Sequence, residues 1–254
     1  MNSFLNLSLF KPGTKSNGKL KWHSESVCNV GCVRKVNEDS ILDRPQKGIW
    51  VVADGMGGHN AGDHASSAVV TALDEIHPDH ATAQLEQVEQ TLQRVNSNLL
   101  AEANGGKGIS GTTVIVMLAH PPIGLLLWAG DSRCYRLRDG QLESLTRDHS
   151  YVETLLQAGD IGLAEAESHP MSNVITQAVG ANDKLVLEPS IVRLRAGDRY
   201  LLCSDGIYRE LSETSMSQLL QIESTQACCQ AIETEVMRAG ARDNFSAIVI
   251  DISL

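Results

Sequence analysis

Apolar residues along this chain change their spacing from block to block, and each spacing predicts an element. Ile49 to Ala53 is a short apolar run and predicts a buried strand. In GDHASSAVVTALDEI, residues Ala65, Ala68, Val69, Ala72, Leu73 and Ile76 fall on one helical stripe. Leu85, Val88, Leu92, Val95 and Leu99 make a second stripe and predict a second helix. TTVIVMLA and IGLLLWA, separated by His120-Pro121-Pro122, are short, aliphatic or β-branched, and bounded by turn residues, so both predict strands. CYRLRDGQLESLT has Asp139-Gly140 at its centre, a strong hairpin signal. A short helix and a less regular insertion are expected over residues 150–180. DRYLLCS and FSAIVIDIS predict two further strands, with a helical stretch from about Glu213 to Gly240 between them.

Hairpins outnumber strand-helix-strand units in this order, so the sheets are expected to be mostly antiparallel. Two such sheets packed together, with helix pairs outside, would bury all the apolar faces. The expected class is therefore α+β. Residues 1–20, which include KPGTKSNGK, are polar and turn-rich and predict a flexible arm. Residues 21–254 are expected to form one domain.

Composition narrows the function. The 254 residues carry a formal net charge of −10, the opposite of what phosphate-backbone binding calls for, so nucleic acid is not an expected partner. No apolar run approaches the ~18 residues a membrane span needs, and no secretory leader pattern opens the chain. A reducing cytoplasm is the simplest compartment. Cys28, Cys32, Cys134, Cys203, Cys228 and Cys229 include no C-x-x-C pair. They are expected to be packing residues.

Acids stand beside strand ends or tight turns in four places: Glu38 and Asp39 in RKVNEDS, Asp54 in VVADGMGG, Asp205 in LLCSDGIY and Asp243 in ARDNFSAIVI. A carboxylate at the end of a buried strand is costly unless something neutralises it. A hard divalent cation does so, and carboxylates, carbonyls and waters suit magnesium or manganese. Gly55 and Gly206, following Asp54 and Asp205, would let the backbone approach an ion or a phosphate closely. Any single Asp-Gly is more simply a turn, and Asp139-Gly140 is read that way.

RKVNEDS, VVADGMGGHNAGDHAS, SGTTVIV, WAGDSRCYRL, LTRDHS, LLCSDGIY and DNFSAIVI, in this order, resemble the successive motifs of the metal-dependent PP2C-type (PPM) serine/threonine protein phosphatases. The resemblance runs from about Lys21 to Leu254. It is greatest to short stand-alone bacterial members that oppose Hanks-type kinases. WAGDSRCY and DNFSAIVI also resemble members encoded with type VI secretion systems.

The resemblance implies a four-layer α-β-β-α sandwich with two Mn2+ or Mg2+ ions at one end. It implies that Asp54 bridges both ions, that Glu38 and the Gly55 carbonyl complete one site, and that Asp205 and Asp243 hold the other. Asp39 would orient a metal-bound water from behind, and Arg34 would bind phosphate, a task suited to a guanidinium. Asn244 would steady the strand end next to Asp243. Asp131 is read as structural, because a turn suffices to explain it.

Met56 stands where some eukaryotic relatives carry a histidine proposed as general acid, and methionine donates no proton. His59 and His64 are expected to have local structural or solvent-facing roles. GGKGISGTT lacks the acid that many bacterial relatives place before Gly-Thr-Thr, so a third ion is not expected. Residues 150–180 would form a mobile flap beside the site. The implied partners are phosphorylated proteins and a Hanks-type kinase, and the implied state is a monomer. Two other readings are a non-catalytic binding module that kept the fold, and a phosphatase for a phosphorylated anti-sigma-factor antagonist.

Overall fold

A computed structural model describes residues 19–57, 61–77, 79–107 and 110–254. The chain begins with strands β1 (Lys21–Asn29), β2 (Asp39–Arg44) and β3 (Ile49–Gly57), followed by helices α1 (Ala61–Asp74) and α2 (Ala81–Glu102). Strands β4 (Ser110–Thr112), β5 (Val114–His120), β6 (Ile123–Ala129), β7 (Arg133–Arg138) and β8 (Gln141–Ser144) come next. Two short helices, α3 (Tyr151–Ala158) and α4 (Leu163–Ser168), precede β9 (Glu188–Arg193) and β10 (Arg199–Cys203). The chain closes with α5 (Asp205–Tyr208), α6 (Glu213–Leu219), α7 (Thr225–Ala239) and β11 (Phe245–Ser253).

One sheet has the order β1-β11-β10-β7-β8, and the other the order β2-β3-β5-β6-β9 with β4 paired to β3. The named strand pairings are antiparallel, as expected. Three apolar cores separate four layers. Along β3, Ile49, Val51 and Ala53 face α1 and α2, where they meet Val69, Leu73 and Leu92. Trp50 and Val52 face the opposite way, into the space between the sheets, with Ile115, Trp128, Tyr200, Ile248 and Ile250. The third core lies between the other sheet and the last helices, where Leu201, Phe245 and Val249 meet Ile207, Ile232 and Val236. A strand buried on both faces has no polar side to alternate with, which is why these strands read as continuous apolar runs.

Turn chemistry agrees at the β7–β8 hairpin, where Asp139 and Gly140 both take positive φ, 51° and 77°. The helical stretch expected from about Glu213 to Gly240 is in fact two helices. Arg199 causes the break. Its guanidinium donates to the carbonyls of Leu220 and Glu223, each at 2.8 Å, and to that of Ile222, while pairing with Asp251 at 2.7 Å. Carbonyls taken this way cannot continue a helix, and Ser224 starts a new one by accepting from the Ala227 amide.

Cys134, Cys203, Cys228 and Cys229 are buried as expected, but Cys28, on the edge strand β1 opposite Ser246, and Cys32, in the turn after β1, are exposed. The arm expected over 1–20 lies outside the described residues except for Lys19 and Leu20, and Leu20 packs against the inter-sheet core. Among the described residues no helix is long and apolar enough to cross a membrane.

Ile250→Ala, at a fully buried inter-sheet position, is expected to cost about 2–5 kcal/mol in denaturant unfolding. A loss under ~1 kcal/mol would mean that the two sheets are not held by this core.

Candidate functional site

Antiparallel pairing carries the acids to one end of the sandwich. Asp39 starts β2 and lies opposite Asp54 near the end of β3. Asp205 follows β10 and Asp243 precedes β11, and those strands pair with Cys203 opposite Ala247. Local hydrogen bonds fix each piece. Asp54 is gripped by its backbone: its amide donates to Thr113 Oγ1 (3.0 Å), and its carbonyl accepts from the Thr113 amide (2.8 Å) and Thr112 Oγ1 (2.9 Å). The Gly-Thr-Thr motif is thus the clamp for this strand end. Asn244 Oδ1 accepts from the Glu38 amide (2.9 Å), and its Nδ2 donates to the carbonyls of Val30 (2.9 Å) and Val36 (3.0 Å). Asn244 therefore pins the loop that carries Arg34, a wider role than steadying its own strand.

Arg34, Glu38, Asp54, Gly55, Asp205 and Asp243 all line one cavity of about 270 Å³. Asp39 does not. It is buried behind the others, accepting from Ser204 Oγ at 2.8 Å through Oδ2, while Oδ1 has no partner. Met56 lines the cavity, and His64 is half exposed beside Glu102, at 3.1 Å. His59 lies outside the described residues, as do Gly108 and Ile109 of GGKGISGTT.

Gly55 and Gly206 are required, but for a reason that differs in part from the one expected. A Cβ on Gly55 would lie 2.1 Å from the Gly62 carbonyl oxygen, and one on Gly206 would lie 2.1 Å from that of Asn244. Both glycines let two backbone segments touch. Only Gly55 also faces the cavity.

Burial and mutual repulsion raise the acids. Burial, partly offset by Ser204, pushes Asp39 up to about 7. Burial and then Asp205 push Asp131 up to about 7. Asp54 is held well above the usual carboxylate range by burial, with Asp39, Asp205, Asp131 and Asp243 adding to it. Glu38 and Asp205 are raised by burial as well. Two cations answer this charge: Arg34 Nη2 lies 2.7 Å from Asp243 Oδ2, and Arg209 Nε 3.0 Å from Asp205 Oδ2. Among the described residues, no three His, Cys, Asp or Glu side chains form a ready-made ligand group in this arrangement. The acids around the cavity, with the Gly55 carbonyl, nonetheless offer the oxygen ligands that hard cations take.

Sequence reasoning missed two of the residues here, Arg209 and Asn173. Asp131, read as structural, lines the cavity with its side chain almost wholly buried. Arg209 and Asn173 line it too. Arg209 sits four residues after Asp205 on one helical turn, a spacing that could have shown the pair. Nothing local marks Asn173, which arrives from the 150–180 segment.

The chain is similar to known proteins over most of its length. The family profile described as Protein phosphatase 2C matches residues 33–240. The chain is 35% identical, over 87% of its length, to the serine/threonine protein phosphatase PstP of Mycobacterium tuberculosis, and spans 43% of that protein. Its fold is similar to that of PppA, described as a key regulatory component of T6SS in Pseudomonas aeruginosa. The TM-score is 0.86 with 38% identity, covering 91% of this chain and 98% of that one. It is also similar to the catalytic domain of a PstP solved with two manganese ions. There the TM-score is 0.83 with 31% identity, covering 93% of this chain and all of that one.

An acid raised in the folded state holds its proton while the unfolded chain has already lost it. Between the ordinary value near 3.8 and the folded value of about 7, Asp39 therefore favours the folded state most at the acidic end. In chelator, stability should fall as pH rises through that window, and Asp39→Asn should flatten the slope in thermal melts. An unchanged slope in the variant would contradict the burial of an ionisable Asp39.

Proposed function

We propose that this chain, which belongs to the protein phosphatase 2C family, hydrolyses phosphoserine and phosphothreonine on proteins with the help of two Mn2+ or Mg2+ ions. The observation that carries the reading is the convergence of Glu38, Asp54, Gly55, Asp205, Asp243 and Arg34 on one cavity. Asp54, Glu38, the Gly55 carbonyl, Asp205 and Asp243 would hold the two ions, with Asp54 placed to serve both. The residues fit that role: crowded carboxylates of raised proton affinity are a strongly favourable place for hard cations. Bound there, such ions supply Lewis acidity for the phosphoryl group and an activated water near neutral pH.

The chain's own residues do the rest. Arg34 is half exposed and pairs with Asp243. Its fork of donors then suits the phosphoryl oxygens, whose charge it stabilises as the serine or threonine oxygen leaves. Asp39, buried behind the pocket, would orient a water from there, and Ser204 donates to its Oδ2. Met56, on the cavity wall, leaves the leaving-group oxygen to take its proton from water. Val33 and Val36, exposed on either side of Arg34 in the chain, would offer a protein substrate apolar contacts.

The proposed substrates are targets of a Hanks-type kinase, with the chain acting as a monomer in the cytoplasm. The likeness to PppA supports placing it with type VI secretion-associated members.

Hydrolysis of a phosphothreonine peptide, with Mn2+ titrated from zero after chelation, tests the proposal. Wild type should need Mn2+, and Asp54→Asn should lose turnover. Arg34→Ala should lower kcat/KM by about 10²-fold, with lysine restoring only part of it. No turnover from folded wild-type protein at any Mn2+ or Mg2+ level would sink the proposal.

A further inference from the structure

Arg209 forms a wall shared by two cavities. One is the acidic pocket, and the other, of about 650 Å³, lies between the 150–180 flap and α5. Its guanidinium reaches three ways. Nε lies 3.0 Å from Asp205 Oδ2, Nη2 lies 3.5 Å from Asp131 Oδ2, and Nη1 donates to Asn173 Oδ1 on the flap. The turn that presents it is braced: Tyr208 Oη donates to the Asp131 carbonyl at 3.0 Å, and Arg133 stacks on the Tyr208 ring at 3.7 Å.

The flap has few other ties. Backbone bonds close its base, from the Tyr151 amide to the Val174 carbonyl (2.8 Å) and from the Thr176 amide to the His149 carbonyl (2.7 Å). Between residues 160 and 174, among the described residues, the other side-chain hydrogen bonds stay inside the flap, as with Ser168 to Ala164. Leu163 is 77% exposed, so apolar packing holds this stretch weakly. The Arg209–Asn173 contact joins the flap to the body one residue before its base at Val174.

We propose that Arg209 is a positioning residue that latches the flap against the acidic pocket. Asp205 and Asp131 aim the guanidinium, and Asn173 is the catch. An arginine is needed because three acceptors in different directions call for a planar fork of donors, which an ammonium on a flexible stem does not preset. The latch shares Asp205 with the metal site of the proposed function. What the flap covers rests on that reading, but the latch itself does not.

Hydrogen exchange of peptides covering residues 160–174, in protein without added metal, tests the latch independently of turnover. Arg209→Ala and Asn173→Ala should each speed exchange there by about five-fold or more. The double variant should go no further, because both remove one contact. Asn173→Asp keeps an acceptor for the guanidinium and should protect the flap like wild type. Exchange in β5 and β10 reports that each variant is folded. If Arg209→Ala does not fold, Asn173→Ala against Asn173→Asp decides alone. Wild-type exchange in Asn173→Ala, or a double variant that multiplies the two single effects, would overturn the latch. Loss of peptide hydrolysis in wild type would instead count against the phosphatase reading.

Discussion

Carboxylates repel one another, and this protein gathers Glu38, Asp54, Asp131, Asp205 and Asp243 around one small cavity with Asp39 buried behind them. Burial raises the charged forms of Glu38, Asp39, Asp54, Asp131 and Asp205 in energy, and neighbouring acids raise them further. Every nearby feature answers that cost. Ser204 donates to Asp39, Arg34 rests on Asp243, and Arg209 bridges Asp205 and Asp131. Divalent cations would answer it more completely, since they bind several carboxylates at once. The site is thus a destabilised end of the molecule held in place by the rest.

What holds it is the sandwich. Three apolar cores fix four layers, and antiparallel pairing sets which residues end up at which edge. The Asp39–Asp54 register needs β2 and β3 in step, and a slip of one residue would turn Asp54 from the cavity toward a core. The backbone grip of Thr112 and Thr113 on Asp54 keeps that from happening. Stability made in the interior is thereby spent on crowding charge at the rim.

Much of this was legible in the sequence because the signals are local. The two-sided strands showed as apolar runs, α1 and α2 as stripes, and the β7–β8 turn as Asp139-Gly140. The acids showed because each interrupts a strand end, and the motif order showed the family to which they belong. What stayed hidden depends on partners distant along the chain. Arg199 ends α6 by capturing carbonyls some twenty residues downstream. Gly206 makes room for the Asn244 backbone rather than for a ligand. Asp131 passes for a turn residue until α5 and the flap are folded around it. Cys28 and Cys32 look like packing residues until Cys28 is placed on the edge strand β1 and Cys32 in the turn beyond it.

Manganese anomalous scattering from crystals grown with Mn2+ is the most direct test of the central claim. Two peaks are expected in the cavity. One should be within coordination distance of Glu38, Asp54 and the Gly55 carbonyl, and the other of Asp54, Asp205 and Asp243. Peaks elsewhere, or a cavity without manganese in crystals that hold it at other sites, would contradict the account of why these acids are buried together.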